Sequence, residues 1–398
     1  MLILNVFLPA LVALVASAWF HPHILQIAKE KNIVDNPDAR KLQRVPVPIM
    51  GGVAVVFGLL AGVMCFTLMS EFDDLLPVFT SVTVMMLVGM VDDIRGLSPR
   101  IRFFVEILLV VFLIFSTGNQ INNFHGLWGI NILSPWISVP LTIFACVGII
   151  NAINLIDGVD GYSSGYCIMA SVFFGYAFYK LYDVNMVALS AVIIAALIPF
   201  FLCNVFCKHS KMFIGDAGTL SMGILMSTFV ANMLTVTTDR GVVDANFGLI
   251  PFTLAVMCVP IFDTLRVMSI RILRGKSPFH PDKTHLHHLF IDLGFSHIGT
   301  TFSILSMNFL VVLIWYAAYE WLECSINMQL YIVIFCGLLI TFIFYGLMRR
   351  HIASGTKFYV WMTKLGAKTH VEKYPLWVKI QMWIDARMVV SGRRGKHN

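Results

Sequence analysis

The sequence predicts an all-α polytopic membrane protein with about eleven transmembrane helices, an external N-terminus and a cytoplasmic C-terminus. The 398 residues are 58% hydrophobic and only 13% charged, and the mean hydropathy is +0.81. Soluble domains are closer to half apolar and a quarter charged, so this composition excludes a water-soluble globule. The formal net charge of +6 does not indicate a nucleic-acid partner, because a basic excess in a membrane protein marks the loops kept in the cytoplasm.

Eleven stretches are nearly free of charged residues and long enough to cross the hydrocarbon, which takes about 20 mostly apolar residues. A polar segment at 116–123 and a turn signal at Ser134-Pro135 divide the uncharged run 107–156 into two of them. The predicted spans are 2–20, 49–69, 77–91, 101–117, 134–152, 162–182, 187–206, 217–236, 247–268, 300–319 and 328–347.

The basic residues orient these spans. Of the 28 Lys and Arg residues, 26 fall in loops on the side of the C-terminus, and only Lys180 and Arg240 fall on the other side. The positive-inside rule therefore places the N-terminus outside. We expect one transmembrane catalytic domain over residues 1–348. Residues 349–398 should form a basic tail that lies on the cytoplasmic membrane surface and contacts anionic lipids.

The predicted inner loops carry most of the polar chemistry. They are 28–48, 92–100, 153–163, 207–217 and 269–299. In the first loop, Lys41 is a candidate phosphate ligand, and the alternative is simple positive-inside anchoring. The second loop begins with Asp92 and Asp93. Adjacent carboxylates at the end of a span need Mg²⁺, a basic side chain or a proton, and the structural alternative pairs them with Arg95 and Arg100.

The third loop contains oxygen-bearing side chains at helical spacing. Asn154, Asp157 and Asp160 are three residues apart, so one helical turn would bring them to the same face. Both aspartates precede a glycine, which favours tight turns, and hard oxygen ligands suit Mg²⁺. In the fourth loop, Asp216 stands where a helix begins, where it could cap that helix or hold a metal beside a phosphate-binding helix N-terminus.

The last loop combines cations with histidines. Arg271 and Lys276 are candidates to guide phosphate groups, and His285, His287 and His288 follow closely. Three histidines in four residues could suggest zinc, which would need a further fixed ligand. Hydrogen bonding to phosphate or sugar fits the surrounding cations better.

Together these loops resemble the polyprenyl-phosphate N-acetylhexosamine-1-phosphate transferase family, which includes the bacterial undecaprenyl-phosphate GlcNAc-1-phosphate transferases. The likeness runs from about residue 35 to residue 288 and rests on five ordered motifs. They are VDNPDARK with PVPIMGG, VDD, NAINLIDGVDG, FIGDAG and SPFHPDKTHLHH. Many members carry a histidine two residues after the Arg-Lys pair, where this chain has Gln43, so any role of that histidine cannot be carried over.

The resemblance implies one cytoplasmic active site in the bacterial inner membrane. It would take a UDP-N-acetylhexosamine, most plausibly UDP-GlcNAc, and undecaprenyl phosphate. The products would be lipid-diphosphate-sugar and UMP, at the first membrane step of a cell-surface polysaccharide. Mg²⁺ is the implied cofactor, with Mn²⁺ as an alternative, and the chain could act alone or as a homodimer.

The same resemblance assigns roles by matching motif. Asp216 and Asn154 correspond to metal-site residues, and Asp92 and Asp93, near the reacting phosphates, are the candidate catalytic residues. The implied substrate-binding residues are Lys41, Asn151, Asp157, Asp160, Arg271, Lys276, His285, His287 and His288.

Three alternatives stay open at this stage. A phospho-muramoyl-pentapeptide-type transferase belongs to the same family, but the SPF and HLHH form favours the HexNAc-1-phosphate branch. A secondary transporter would place its acids near the midplane of repeated halves, whereas here they cluster at predicted inner helix ends. A non-catalytic scaffold would not need the intact acidic motifs.

Overall fold

The computed structural model describes residues 2–37, 45–67, 75–235, 246–278 and 282–388. Within them the chain forms sixteen α-helices and one two-stranded ribbon. A π-helical stretch, Leu339–Phe344, joins the thirteenth α-helix to the fourteenth. The elements are α1 (Leu2–Glu30), β1 (Val34–Asp35), β2 (Val47–Pro48), α2 (Gly51–Thr67), α3 (Leu76–Arg95), α4 (Pro99–Thr117), α5 (Pro135–Leu155), α6 (Tyr162–Lys180), α7 (Val184–Phe206), α8 (Gly215–Met233), α9 (Leu249–Val256), α10 (Cys258–Leu273), α11 (Leu286–Asp292), α12 (His297–Glu320), α13 (Ile326–Leu338), α14 (Tyr345–Ser354), α15 (Lys357–Lys368) and α16 (Pro375–Arg387).

Six helical segments among the described residues are long and apolar enough to cross a membrane. They are α1, α3, α5, α7, α12 and the continuous α13–α14 segment, and the bent α9–α10 pair makes a seventh. The protein is therefore an all-α polytopic membrane protein apart from its small ribbon. The helices α2, α4, α6 and α8 occupy predicted spans but fall outside this test of length and composition. Eleven crossings and the predicted orientation stay predictions.

The ribbon lies in the first predicted inner loop. β1 and β2 are antiparallel, with Val34 opposite Pro48, and the prolines around β2 favour extended backbone. The ribbon is tied to the start of α8, because Phe213 N donates to Pro48 O at 2.8 Å. At Gly52 a Cβ atom would lie 2.2 Å from the backbone nitrogen of Gly218, so only glycine permits this close approach of α2 and α8.

Helix α8 is the centre of the bundle. Nearly every residue from Gly215 to Met233 is buried, and the helix packs chiefly against α3 and α5. Small residues allow this packing: a Cβ atom at Gly89 of α3 would lie 2.5 Å from the backbone of Ala217. The N-terminal end of α8 is consequently held in place by its neighbours on several sides.

The predicted ninth span is broken rather than straight. Helices α9 and α10 meet at Met257 with a bend of 72°. Pro260 has no amide to donate to Val256 O, and the Tyr166 hydroxyl donates to that carbonyl instead, at 2.7 Å. Asn308 of α12 accepts from Val259 N and donates to Val256 O, each at 2.9 Å. Neighbouring side chains thus satisfy the backbone groups that the break releases.

The chain beyond residue 348 folds back onto the bundle. Its predicted boundary falls inside α14, which continues α13 without interruption. Helices α15 and α16 follow, and α16 packs against α7. The last described residue is Met388, so the end of the predicted basic tail lies outside the described residues.

Candidate active site

A cavity of about 310 Å³ opens beside the N-terminal end of α8. All five predicted inner loops contribute to it, which places distant parts of the sequence around one space. Its polar lining residues are Asp35, Asp93, Asn154, Asp157, Asp160, Asn204, Asp216, His288 and His297.

Asp93 reaches this cavity from the end of α3 and caps α8. Its two carboxylate oxygens accept hydrogen bonds from Asp216 N at 2.9 Å and Ala217 N at 3.1 Å. The amides of a helix's first turn have no partner within the helix, and an anion stabilises that end. Asp93 therefore fixes where α8 begins, and the positive φ of Gly215 (67°) lets the backbone turn into the helix.

Asp216 lies just inside α8, with about a third of its side chain exposed (31%) to the cavity. Asn154 at the end of α5 donates its amide to Asp216 Oδ1 at 2.6 Å and to Thr219 Oγ1 at 2.8 Å. The structure thus brings the two predicted metal-site residues into contact. Asn154 presents its amide nitrogen to the carboxylate, so in this arrangement it orients Asp216.

Asp92 pairs with a residue that sequence reasoning did not select. Arg102 Nη1 donates to Asp92 Oδ2 at 3.2 Å, and Leu97 N donates to Asp92 Oδ1 at 2.6 Å. Among the described residues, the ion-pair partner of Asp92 is Arg102, so the suggested pairing with Arg95 or Arg100 is wrong.

Arg102 connects Asp92 to the cavity and to a buried acid. Its Nη1 lies 3.8 Å from Asp216 Oδ2, and its Nε lies 3.7 Å from Oε1 of the fully buried Glu106. Arg102 and Glu106 were missed, although an Arg and a Glu four residues apart at the start of an apolar span are a usable signal for a functional pair.

Asn151 lies beneath this network and away from the cavity. Its amide donates to Glu106 Oε2 and to Val147 O, and the residue is only 6% exposed. Asn151 lines a separate apolar groove rather than this cavity, and its amide nitrogen is committed to protein groups, so its predicted substrate-binding role stays a prediction.

Asp157 and Asp160 lie side by side in the turn between α5 and α6. Asp157 accepts from the Ser163 hydroxyl at 2.6 Å. Desolvation by the surrounding protein, together with Asp216 and Asp160, raises the pKa of Asp157 to about 7, although its side chain opens onto the cavity.

Asp160 has two basic side chains beside it. Lys211 Nζ donates to its Oδ2 at 2.6 Å, and His297 Nδ1 lies 3.0 Å from the same oxygen. Burial alone would raise the pKa of Asp160, but His297 and Lys211 lower it below its usual range. The two aspartates consequently differ: Asp160 is ionised at neutral pH, and Asp157 titrates there.

The histidine motif is anchored by a buried acid, Asp263 of α10. Asp263 accepts from Arg266 Nη2 at 2.6 Å and from Leu286 N at 3.2 Å, and its Oδ2 lies 2.9 Å from His285 Nδ1. His285 is thereby occupied in holding the loop. His287 is also buried and touches Gly158, where a Cβ atom would lie 2.1 Å from its Nε2.

His288 is the member of the motif that lines the cavity. Burial and the neighbouring His285 lower its pKa to about 4, and burial with the neighbouring histidines takes the pKa of His287 well below its usual value. Both rings are therefore neutral at physiological pH. Over the described residues, no group of three or more His, Cys, Asp or Glu could hold a metal ion, which does not support the zinc alternative.

The predicted phosphate-guiding cations lie elsewhere. Arg271 donates to both oxygens of Asp282, at 3.1 and 3.0 Å, and to Pro278 O at 2.6 Å, so it closes its own loop. Lys276 is exposed, and neither cation lines the cavity described above. Lys41 lies outside the described residues. Lys211, which was not among the predicted site residues, does contact the cavity lining, because it donates a hydrogen bond to Asp160.

Comparison with known proteins assigns the family. A family model described as "Glycosyl transferase family 4" matches residues 75–234, a range that holds every cavity residue from Asp93 to Asp216. A relative from Bacillus subtilis (strain 168), named "Probable undecaprenyl-phosphate N-acetylglucosaminyl 1-phosphate transferase", is 30% identical over 323 residues, covering 78% of this chain and 86% of the relative. The chain belongs to glycosyl transferase family 4.

Two further relatives are named "Undecaprenyl-phosphate alpha-N-acetylglucosaminyl 1-phosphate transferase". The proteins from Yersinia pestis and Escherichia coli (strain K12) are each 28% identical over 281 residues, which is 68% of this chain and 73% and 72% of theirs. The resemblance seen in the motifs is thus confirmed. This family 4 protein is a multi-pass membrane enzyme, and its activity is that of a transferase.

Proposed function

We propose that this enzyme transfers GlcNAc-1-phosphate from UDP-GlcNAc to undecaprenyl phosphate, releasing UMP at the first membrane step of a cell-surface polysaccharide. One observation carries the proposal: carboxylates from four separate loops line one cavity, namely Asp35, Asp93, the pair Asp157 and Asp160, and Asp216. Such a concentration of acids at a helix N-terminus fits a polyanionic substrate that arrives with a cation. The names of the relatives support the donor and acceptor.

The donor would occupy the cavity of about 310 Å³. The ionised Asp160 and the partly protonated Asp157 offer acceptors to sugar and nucleoside hydroxyl groups. The neutral His288 can donate or accept. The donor's diphosphate would meet the N-terminal end of α8 and the nearby Arg102.

The residues present fit Mg²⁺, with Mn²⁺ as an alternative. Mg²⁺ is usually bound by one or two carboxylates together with substrate phosphates and water rather than by a complete protein shell. Asp216 would hold the ion, and Asn154 beside it is the proposed second ligand through its amide oxygen. The bound ion would neutralise the diphosphate and make UMP a better leaving group.

The acceptor has a separate, apolar place to bind. A groove of about 770 Å³ runs between α4, α5, α8, α9 and α10, with Phe103 and Ile107 on one wall and Gly148 on another. Phe103 follows Arg102, so a polyprenyl chain in the groove would bring its phosphate towards that guanidinium. Narrowing the groove with Gly148→Leu should raise KM for the lipid acceptor and leave KM for UDP-GlcNAc unchanged.

We propose a direct displacement. An oxygen of the lipid phosphate attacks the β-phosphorus of the donor, and the bond from that phosphorus to UMP breaks. The acceptor phosphate is already mostly dianionic at neutral pH, so it needs little help from a base. Both oxygens of Asp92 accept hydrogen bonds, from Arg102 and Leu97, which argues for a positioning role. Positioning and charge stabilisation would supply most of the rate.

The test is turnover by the purified protein with labelled UDP-GlcNAc, Mg²⁺ and undecaprenyl phosphate. We expect UMP and a lipid-linked sugar, and a panel of UDP-sugars in the same assay would establish the donor. Asp216→Asn should abolish product formation without changing the melting temperature. Asp183→Asn, which alters the N-cap of α7, should leave product formation intact. An active Asp216→Asn enzyme would refute the metal role.

For localisation, we propose the bacterial inner membrane with the cavity facing the cytoplasm. The asymmetry of the basic residues supports this, since Lys29 and Arg95 at helix ends and Lys211 between helices all lie within the predicted inner segments that contribute to the cavity. Helices α15 and α16 expose Trp361, Trp383 and several lysines, and this composition supports a seat on the membrane surface.

A further inference from the structure

One carboxylate in the last helix organises the backbone of the loop between α7 and α8. Asp385 Oδ2 accepts hydrogen bonds from Lys208 N at 3.1 Å and His209 N at 3.3 Å, and its Oδ1 accepts from Ser210 N at 2.9 Å. The three amides are consecutive, and Asp385 lies about 175 residues further along the chain. It is only 8% exposed, so these amides replace most of its water.

Apolar packing fixes α16 in the position that this contact requires. Ile384 packs against Cys203 and Cys207 at the end of α7. The ring of Trp377 lies 4.4 Å from that of Phe206, centroid to centroid. Burial would raise the pKa of Asp385, but its backbone donors, Lys208 foremost, hold that pKa below its usual range. Asp385 is therefore an ionised group on a rigid support.

The loop that Asp385 holds leads directly into the cavity. Lys211 follows the third amide and donates to Asp160 at 2.6 Å. Asn204 then donates to Met212 O at 2.9 Å. Phe213, Ile214 and Asp216 line the cavity wall. A displacement of residues 208–210 would consequently move Lys211 away from Asp160 and disturb the approach to α8.

We propose that Asp385 is a positioning residue for the donor site, acting through the 208–210 backbone on the pair of Lys211 and Asp160. Asp385 itself does not line the cavity. The expected effect on KM for the donor rests on the proposed function. The effect on the position of the 208–210 backbone does not depend on which substrate the enzyme uses.

The decisive variant is Asp385→Asn, compared with Glu372→Gln in the same tail. Glu372 is a matched control because its carboxylate is exposed and lies 2.7 Å from the Nδ1 atom of His370, within the same tail. We expect D385N to raise KM for UDP-GlcNAc roughly tenfold with kcat within about twofold, and E372Q to change neither. D385N should add little in a K211A background, because both changes break the same connection.

A second measurement needs no substrate. Trypsin should cut after Lys208 and Lys211 faster in D385N than in wild-type enzyme, and at the wild-type rate in E372Q. Asp385→Glu keeps the charge and should retain most of the wild-type protection, which covers the case in which D385N does not fold. Equal trypsin rates in folded D385N and wild type would overturn the proposal, as would fully additive effects of D385N and K211A. A wild-type enzyme inactive towards UDP-sugars would refute the proposed function and leave the protease result to decide this inference.

Discussion

The side-chain carboxylate of Asp93, at the end of α3, accepts hydrogen bonds from the backbone amides of Asp216 and Ala217, at 2.9 and 3.1 Å. Two aspartates of the cavity therefore have different tasks. The side chain of Asp93 is committed to the helix end, and the side chain of Asp216 is turned partly towards the cavity. The start of α8 is defined by another helix rather than by its own N-cap residue, Ile214, which has no side-chain cap.

We predict that Asp93→Ala lowers both stability and activity. Loss of a helix cap costs about 1–2 kcal/mol, and here the same loss also releases the segment that carries Asp216. The melting temperature in detergent and the rate of product formation measure the two effects.

Asp183 provides the control for Asp93, because it caps α7 by accepting from Met186 N at 3.1 Å and does not line the cavity. Asp183→Ala should cost similar stability with little loss of activity. Equal losses of activity in the two variants would contradict a special role for the cap on α8.

Arg102→Gln should lower activity by roughly a hundredfold, the size expected when one charge-stabilising donor is removed from an active site. Arg102 contacts Asp92 and lies near both Asp216 and Glu106, so its removal also leaves a buried acid without its cationic neighbour. Arg100→Gln, two residues away and exposed, is the matched control in the same transfer assay. If R102Q keeps more than half of the activity, the network is structural.

Gly52→Ala should destabilise the protein by about 3 kcal/mol, because a Cβ atom would lie 2.2 Å from the backbone of Gly218 and force α2 away from α8. Gly346→Ala in α14 meets nothing within 4 Å and should be neutral or slightly stabilising. Thermal unfolding compares the two, and a stable G52A protein would show that these helices can separate at little cost.

His288 should make stability depend on acidity. Its pKa is lowered to about 4 by burial and by His285, with Lys283 and Arg349 adding to the effect and Asp292 opposing it. The unfolded chain binds this proton more tightly than the folded protein does. The contribution of His288 to the free energy of unfolding is therefore complete above pH 6.5 and is lost as the pH falls towards 4.

His288→Gln cannot titrate, and we expect its melting temperature to fall less than that of the wild type between pH 7 and pH 5. His209→Gln, at an exposed position, controls for the loss of any histidine. Parallel melting curves for H288Q and wild type across this range would show that His288 does not contribute to the pH dependence.

The positions of the cavity residues could largely be predicted, because polar motifs at the ends of apolar spans are confined to one end of the bundle. Asp93, Asn154, Asp157, Asp160, Asp216 and His288 were selected from the sequence, and the structure brings them together. Hydrophobic stretches also located the helices, since burial of backbone groups requires helices there.

The individual partners could not be predicted. An arginine beside an acidic motif can face a substrate or a neighbouring carboxylate, and Arg271 faces Asp282 while Arg102 faces Asp92. The choice depends on how helices rotate against each other, and the sequence does not show this rotation. Asp385 illustrates the extreme case, because its partners are backbone amides that no motif can mark.

The bend between α9 and α10 constrains the order in which the protein can assemble. Tyr166 precedes the bend in the chain, but Asn308, which satisfies Val256 O and Val259 N, is synthesised after it. Until α12 enters the bilayer, the amide of Val259 lacks this partner, and an unpaired amide in hydrocarbon is costly. We therefore expect the bent segment to reach its final depth only after α12 has been inserted, as a late event in biogenesis.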